Sequence, residues 1–265
     1  MGVRRVLRRA LPVIASVTAL AVLAACGGDD PGADKKPEAE PTVSTTPISG
    51  GATAEPALDP EHAVEPPGPR EGVAALADIV VSSPETLSDE TVKAIEQLED
   101  VDSVERLALA QVIIENKSIN VAAVDPSTYR NYTPIESART QAVWERVAAG
   151  ELAMTRGLKT KLPQDDAGYL RLGGSKDATA IHVGAYAPQA AQIDMVVNPT
   201  WIDTLEMQPD NALLIRTGKA SPDTLRKPIE KIVAEGGSVQ MVDAVARFGL
   251  YPGAQPTAVV VGTVA

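Results

Sequence analysis

Apolar positions are sparse before residue 73 and dense after it, and two periods alternate through the dense part. Residues 78–82 read Asp-Ile-Val-Val-Ser, a short extended run, and Ser88 then stands before a stretch to residue 99 with Val92, Ile95 and Leu98 on one helical face. That predicts a strand followed by a capped amphipathic helix. Residues 101–114 and 119–124 are rich in Val, Ile, Leu and Ala around the polar 115–118, which predicts a hairpin. Asp125-Pro126 ends it, residues 129–134 are irregular, and 137–149 read as a helix stopped by Gly150. Beyond the Leu162-Pro163 break, short strands are expected at 169–172 and 180–184, with Gly173-Gly174-Ser175 as the tip between them. An extended run at 195–197 leads to a short helix at 201–205 and a strand at 212–216. Ser221-Pro222-Asp223 opens a further helix with proline in its first turn, Gly236-Gly237 stops it, and 238–242 follows as a strand.

The first residues follow a different pattern. Arg4, Arg5, Arg8 and Arg9 precede an apolar run over 11–23, which meets Leu23-Ala24-Ala25-Cys26. That run is shorter than the roughly 20 residues needed to span hydrocarbon, so residues 1–25 read as a signal peptide. A cysteine after Leu-Ala-Ala resembles the bacterial lipobox, which implies cleavage before Cys26 and diacylation of its thiol. Two acyl chains hold a protein stably on a bilayer where one does so marginally. The expected location is the extracytoplasmic face of the cell membrane. Cys26 is the one cysteine of the 265 residues, so no disulfide is available within the chain. Residues 26–72 are rich in Pro, Gly, Ser, Thr and Glu, which predicts a disordered tether. The folded domain is then expected over 73–265. Aromatic content of 3% requires an aliphatic core.

Formal net charge of -11, with acids scattered along the chain, argues against a nucleic-acid partner. His62 falls in the tether and His182 in a strand, a supply of imidazole too small for a zinc site, so neither metal nor cofactor is expected. His182 is expected to be structural. No Gly-x-Ser-x-Gly or Ser-x-x-Lys pattern supplies a nucleophile, and the Arg216-Thr217-Gly218 and Ser118-Ile119-Asn120 triplets are chance likenesses to a penicillin-binding set. Glu151 and the Asp165-Asp166 pair are the other carboxylates considered, the latter as solvated loop residues. No catalytic residue is therefore expected. Tyr129, Arg130 and Tyr132 stand as the candidate partner-binding residues, an exposed aromatic and arginine group of the kind enriched at interface hot spots, with a loop anchored by its own tyrosines as the plainer alternative.

The order of these elements resembles the periplasmic core domain of MacB- and FtsX-type ABC transporter permeases. The stretches that carry the likeness are VVSSPETLSDETVKAIEQLEDVDSVERL, INVAAVDPSTYRNY, VWERVAAGELAMTRGLKTKL and NALLIRTGKASPDTLRKPIEKIVAEGGSVQMVD. The resemblance implies an α+β fold of two lobes: a βαβ-rich, ferredoxin-like lobe built from both ends of the domain, and a small β-rich lobe inserted between them. It also implies an extracytoplasmic, non-enzymatic module that transmits motion or contacts partner proteins. No apolar run after Cys26 is long enough to span, and no Gly-x-x-x-x-Gly-Lys-Ser/Thr loop is present to bind ATP, so the chain itself is not read as a transporter. The expected role is that of a binding or accessory lipoprotein of a transport or wall-remodelling complex. The apolar run 258–265 either closes a sheet or continues into further chain. In the second case the alternative is the anchored N-terminal region of a peptidoglycan hydrolase or carboxypeptidase whose catalytic domain lies beyond Ala265.

Overall fold

A computed structural model describes residues 59–173, 178–233 and 236–242 and the backbone of 260–261. The signal peptide, Cys26, the tether up to residue 58, Ser175 and most of the 258–265 run lie outside the described residues. None of the described helices is long and apolar enough to cross a membrane.

The fold is α+β and has two lobes. The first is made of β1 (Ile79–Ser82), α1 (Asp89–Glu96), the first half of β2 (Val101–Ile114), β8 (Ala212–Thr217), α5 (Pro222–Val233) and β9 (Ser238–Met241). Its strands lie in the order β2-β8-β1-β9 and every pair is antiparallel, the split βαβ arrangement of ferredoxin-like folds. Strand β1 reads as a continuous apolar run because it is buried on both faces. Ile79 and Val81 pack with Leu213, Ile95 and Ile229 under α1 and α5, while Val80 and Leu214 join a second core with Trp144 and Val147. Helix α1 starts where expected, with the Ser88 hydroxyl accepting from the Thr91 amide at 3.2 Å.

Strand β2 carries the sheet from one lobe into the other. Residues Val101 to Leu107 pair with β8, and Ala108 to Ile114 pair with β3 (Lys117–Ala123). The turn joining β2 to β3 is tighter than the polar run 115–118 suggested. Ile114 pairs directly with Lys117, and Glu115 and Asn116 alone turn the chain, with φ of 47° and 61°. Two left-handed residues in succession are what a two-residue hairpin with right-twisted strands requires.

The second lobe continues with β4 (Leu152–Met154), β5 (Tyr169–Leu172), β6 (Thr179–Tyr186), β7 (Met195–Val197) and β10 (Val260–Val261), in the order β3-β7-β4-β6-β10 with β5 paired to β6. Pairing of Val260 and Val261 with Tyr186 and Ala185 puts that part of the C-terminal apolar run on the edge of the sheet. The helix expected over 137–149 is two helices, α2 (Ile135–Arg139) and α3 (Gln141–Ala148), parted at Thr140, whose ψ of 88° breaks the helical path. At the break the Ser137 carbonyl accepts from the Thr140 amide at 3.1 Å and from the Trp144 indole at 2.8 Å. Helix α4 (Trp201–Thr204) lies between β7 and β8 in the chain.

Candidate functional site

Tyr129, Arg130 and Tyr132 share one 3-10 turn, and the exposure expected of them is not found: they are 0%, 2% and 5% accessible. The Tyr129 ring meets Trp144 edge to face at 5.8 Å, and its hydroxyl donates to Gln189 Oε1 at 3.3 Å and accepts from the Ala190 amide at 3.2 Å. Tyr132 donates to Ser103 Oγ at 2.9 Å beneath the Arg216 guanidinium, which lies 5.2 Å from the ring centre. Burial pushes both phenols above their ordinary titration range. These side chains hold the turn against the sheet, because two large rings gain more from burial there than from solvent contact.

Glu105, on β2 beside this turn, is 8% accessible and accepts from the Thr128 hydroxyl at 2.6 Å. Burial pushes its carboxyl up to about 7; the Thr128 hydrogen bond acts in the opposite direction, and the nearby Asp125 charge adds to the rise.

A second polar group lies inside the β-rich lobe. Glu151 accepts from Arg146 Nη1 at 3.1 Å through both oxygens, and His182 Nδ1 stands 2.6 Å from Glu151 Oε1. The Tyr169 ring meets the imidazole edge to face at 5.1 Å. Gly184 gives the carboxylate its room, since a Cβ there would come within 2.7 Å of Glu151 Cδ. The Asp165 carboxylate accepts from the Ala167 and Tyr169 amides in the turn before β5. Among the described residues no cluster of three or more His, Cys, Asp or Glu is arranged to hold a metal ion.

The most extensive arrangement is one that composition concealed. Residues 59–72, expected as the end of the tether, are fastened along the domain, so the ordered chain begins before residue 73. His62 stacks on Trp201 with ring centres 3.6 Å apart and planes 15° from parallel. The Trp201 indole in turn donates to the Gly150 carbonyl at 3.0 Å. Asn198 Nδ2 donates to the His62 carbonyl at 2.6 Å, Gln141 Nε2 to that of Pro67 at 2.6 Å, and Arg130 Nη2 to that of Gly68 at 2.9 Å. Strap amides also enter the scheme, Asp59 donating to Ala149 O and Val64 to Ala148 O. Gly150, with φ of 95°, lets the strap pass closely: a Cβ at that position would lie 3.0 Å from Asp59 Cβ. Beside the strap runs a cleft of about 390 Å³ bounded by Val64 to Gly68, by Asp125 to Ser127 and by Pro199. Arg130 is thus a binding residue, directed at the chain's own strap. The only hint in the sequence was His62, an aromatic ring in a segment otherwise poor in large side chains.

No family model matches the chain and no curated protein matches it in sequence. Among solved structures, the periplasmic region of MacB from Actinobacillus actinomycetemcomitans is similar with a TM-score of 0.38 and 8% identity, covering 67% of this chain and 94% of that one. Similarity at that level assigns neither a partner nor an activity.

Proposed function

We propose that the chain is a lipid-anchored module on the extracytoplasmic face of the cell membrane, a non-enzymatic binding component of a transport or wall-remodelling complex. One observation carries this reading: the Leu23-Ala24-Ala25-Cys26 pattern is followed by a proline-rich segment whose far end is fastened to a folded domain. Such a chain holds a globular domain at a set reach from the bilayer. The likeness of its four sequence stretches to MacB- and FtsX-type core domains adds the class of partner, an ABC-type permease assembly.

Metabolic labelling with palmitate tests the anchor. The wild-type chain should label and sediment with membranes, and Cys26→Ala should do neither; equal labelling of both would sink the reading. For the binding role, photo-crosslinking in intact cells from the domain surface should yield discrete adducts with an envelope protein. A bait for recovering that partner has to include residues 59–72, because the strap is part of the folded surface.

A further inference from the structure

The strap is held in the way a ligand is held. Donors from separate parts of the domain converge on its carbonyls: Asn198 on His62, Gln141 on Pro67 and Arg130 on Gly68, with Arg216 Nη1 reaching the Val73 carbonyl at 2.6 Å. Within the strap Pro66, Pro67 and Pro69 have no N–H to offer, so this stretch cannot join a sheet ladder. Its carbonyls are read by side chains instead. Only two strap side chains between residues 60 and 70 are buried, His62 on Trp201 and Pro67, while Glu61, Ala63, Glu65 and Pro66 face solvent. Two anchors with backbone contacts between them define a site for an extended chain, tolerant of what lies between the anchors.

The groove is also over-supplied with donors. Arg130 is buried, its two amino groups donate to neutral oxygens, and its Nε has no hydrogen-bond partner among the described residues. A buried guanidinium with an unused donor is costly unless something can meet it. The cleft alongside residues 64–68 shows that the strap does not fill the space next to it.

We infer that this groove is a peptide-binding site for an extended, proline-containing segment of an envelope protein, occupied in the resting chain by residues 59–73 in cis. The inference rests on the proposed binding role and names the chemistry of the partner. A covalently joined occupant acts at millimolar effective concentration, so an external peptide competes only when the strap is loosened.

The test uses the mature chain carrying Cys26→Ser and a fluorescent synthetic peptide of residues 59–73. Loosening both anchors with His62→Ala and Pro67→Ala should let the labelled peptide bind, at least tenfold more tightly than it binds the chain with an intact strap. Adding Trp201→Ala should abolish that binding, and a scrambled peptide should not bind. A loosened chain that keeps its circular dichroism and thermal transition yet binds no peptide overturns the proposal. Hydrogen exchange on the unaltered strap decides the matter if the loosened chain fails to fold. The Val64 amide should exchange by local opening well before Val121 in the sheet, and exchange of both at one common rate overturns the proposal. Failed palmitate labelling strikes the anchored reading alone, and failed peptide binding strikes the groove alone.

Discussion

The imidazole of His62 lies flat on the indole of Trp201, at 3.6 Å and 15°, although 138 positions separate the bonded pair His62 and Thr200 beside them in the chain. This stack closes the start of the strap over the inserted lobe. Trp201→Ala empties a fully enclosed site and should lower stability by about 3–5 kcal/mol, read by chemical denaturation. His62→Ala should cost far less and act locally, so that trypsin cuts after Arg70 many times faster while the thermal transition moves by a few degrees. Unchanged cleavage at Arg70 would show that the stack does not hold the strap.

Glu105 makes stability depend on pH with an unusual sign. Its carboxyl is raised from 4.5 to about 7 in the folded chain, so between those values the native state binds the proton and the unfolded state does not. Stability therefore falls as pH rises from about 4.5 to about 7, by up to ~3 kcal/mol, and is level above that window. Glu105→Gln should remove this slope from the pH profile of urea unfolding. A profile unaltered by the substitution would place the titrating group elsewhere.

Gly184 is fixed by the neighbouring carboxylate. Gly184→Ala drives a methyl group into Glu151, whose ion pair with Arg146 leaves it little freedom to retreat. The expected loss is about 1–3 kcal/mol, measured as a lower denaturation midpoint at unchanged slope.

The hairpin turn offers a gain. Glu115 and Asn116 both hold positive φ, a conformation that costs a side-chain-bearing residue and costs glycine nothing. Replacing them by Asn-Gly should raise stability by about 0.5–1 kcal/mol. A lower melting temperature would mean that the Glu115 side chain has an overriding contact.

Much of the fold was legible because local signals agreed with tertiary ones. Ser88 caps α1, Pro222 opens α5, and the runs at 78–82 and 212–216 hold adjacent strands of one sheet, β1 and β8. Strand β4 was not legible, since three residues show no period, and it is buried on both faces of the sheet, Ala153 in one core and Leu152 and Met154 in another. The Thr140 break leaves no mark in the sequence because Ser137 to Ala148 keeps helical spacing, and the Ser137 carbonyl at the break is met by the Thr140 amide and by the Trp144 ring. The strap was hidden for a stronger reason. Composition reports what a segment can bury by itself, whereas residues 59–72 are held by Arg130, Gln141, Asn198 and Trp201, all remote in sequence. Likewise Tyr129, Arg130 and Tyr132 had the chemistry of a contact surface, but a sequence does not say on which side of a turn its rings will lie.

Strand β2 sets a common phase for both lobes. Its fourteen residues meet β8 along one half and β3 along the other, with no connecting peptide between the two ladders. A strand alternates its faces with period two, so a single residue inserted between Leu107 and Ala108 would invert every later side chain relative to every earlier one. Ala108, Ala110 and Val112 would leave the core they share with Ile119 and Val121, while the ferredoxin-like half kept its own order. An insertion of two residues would restore the alternation and shift only the pairing. The molecule therefore carries a parity rule at its centre, under which insertions at that junction divide into odd and even before size or chemistry matters.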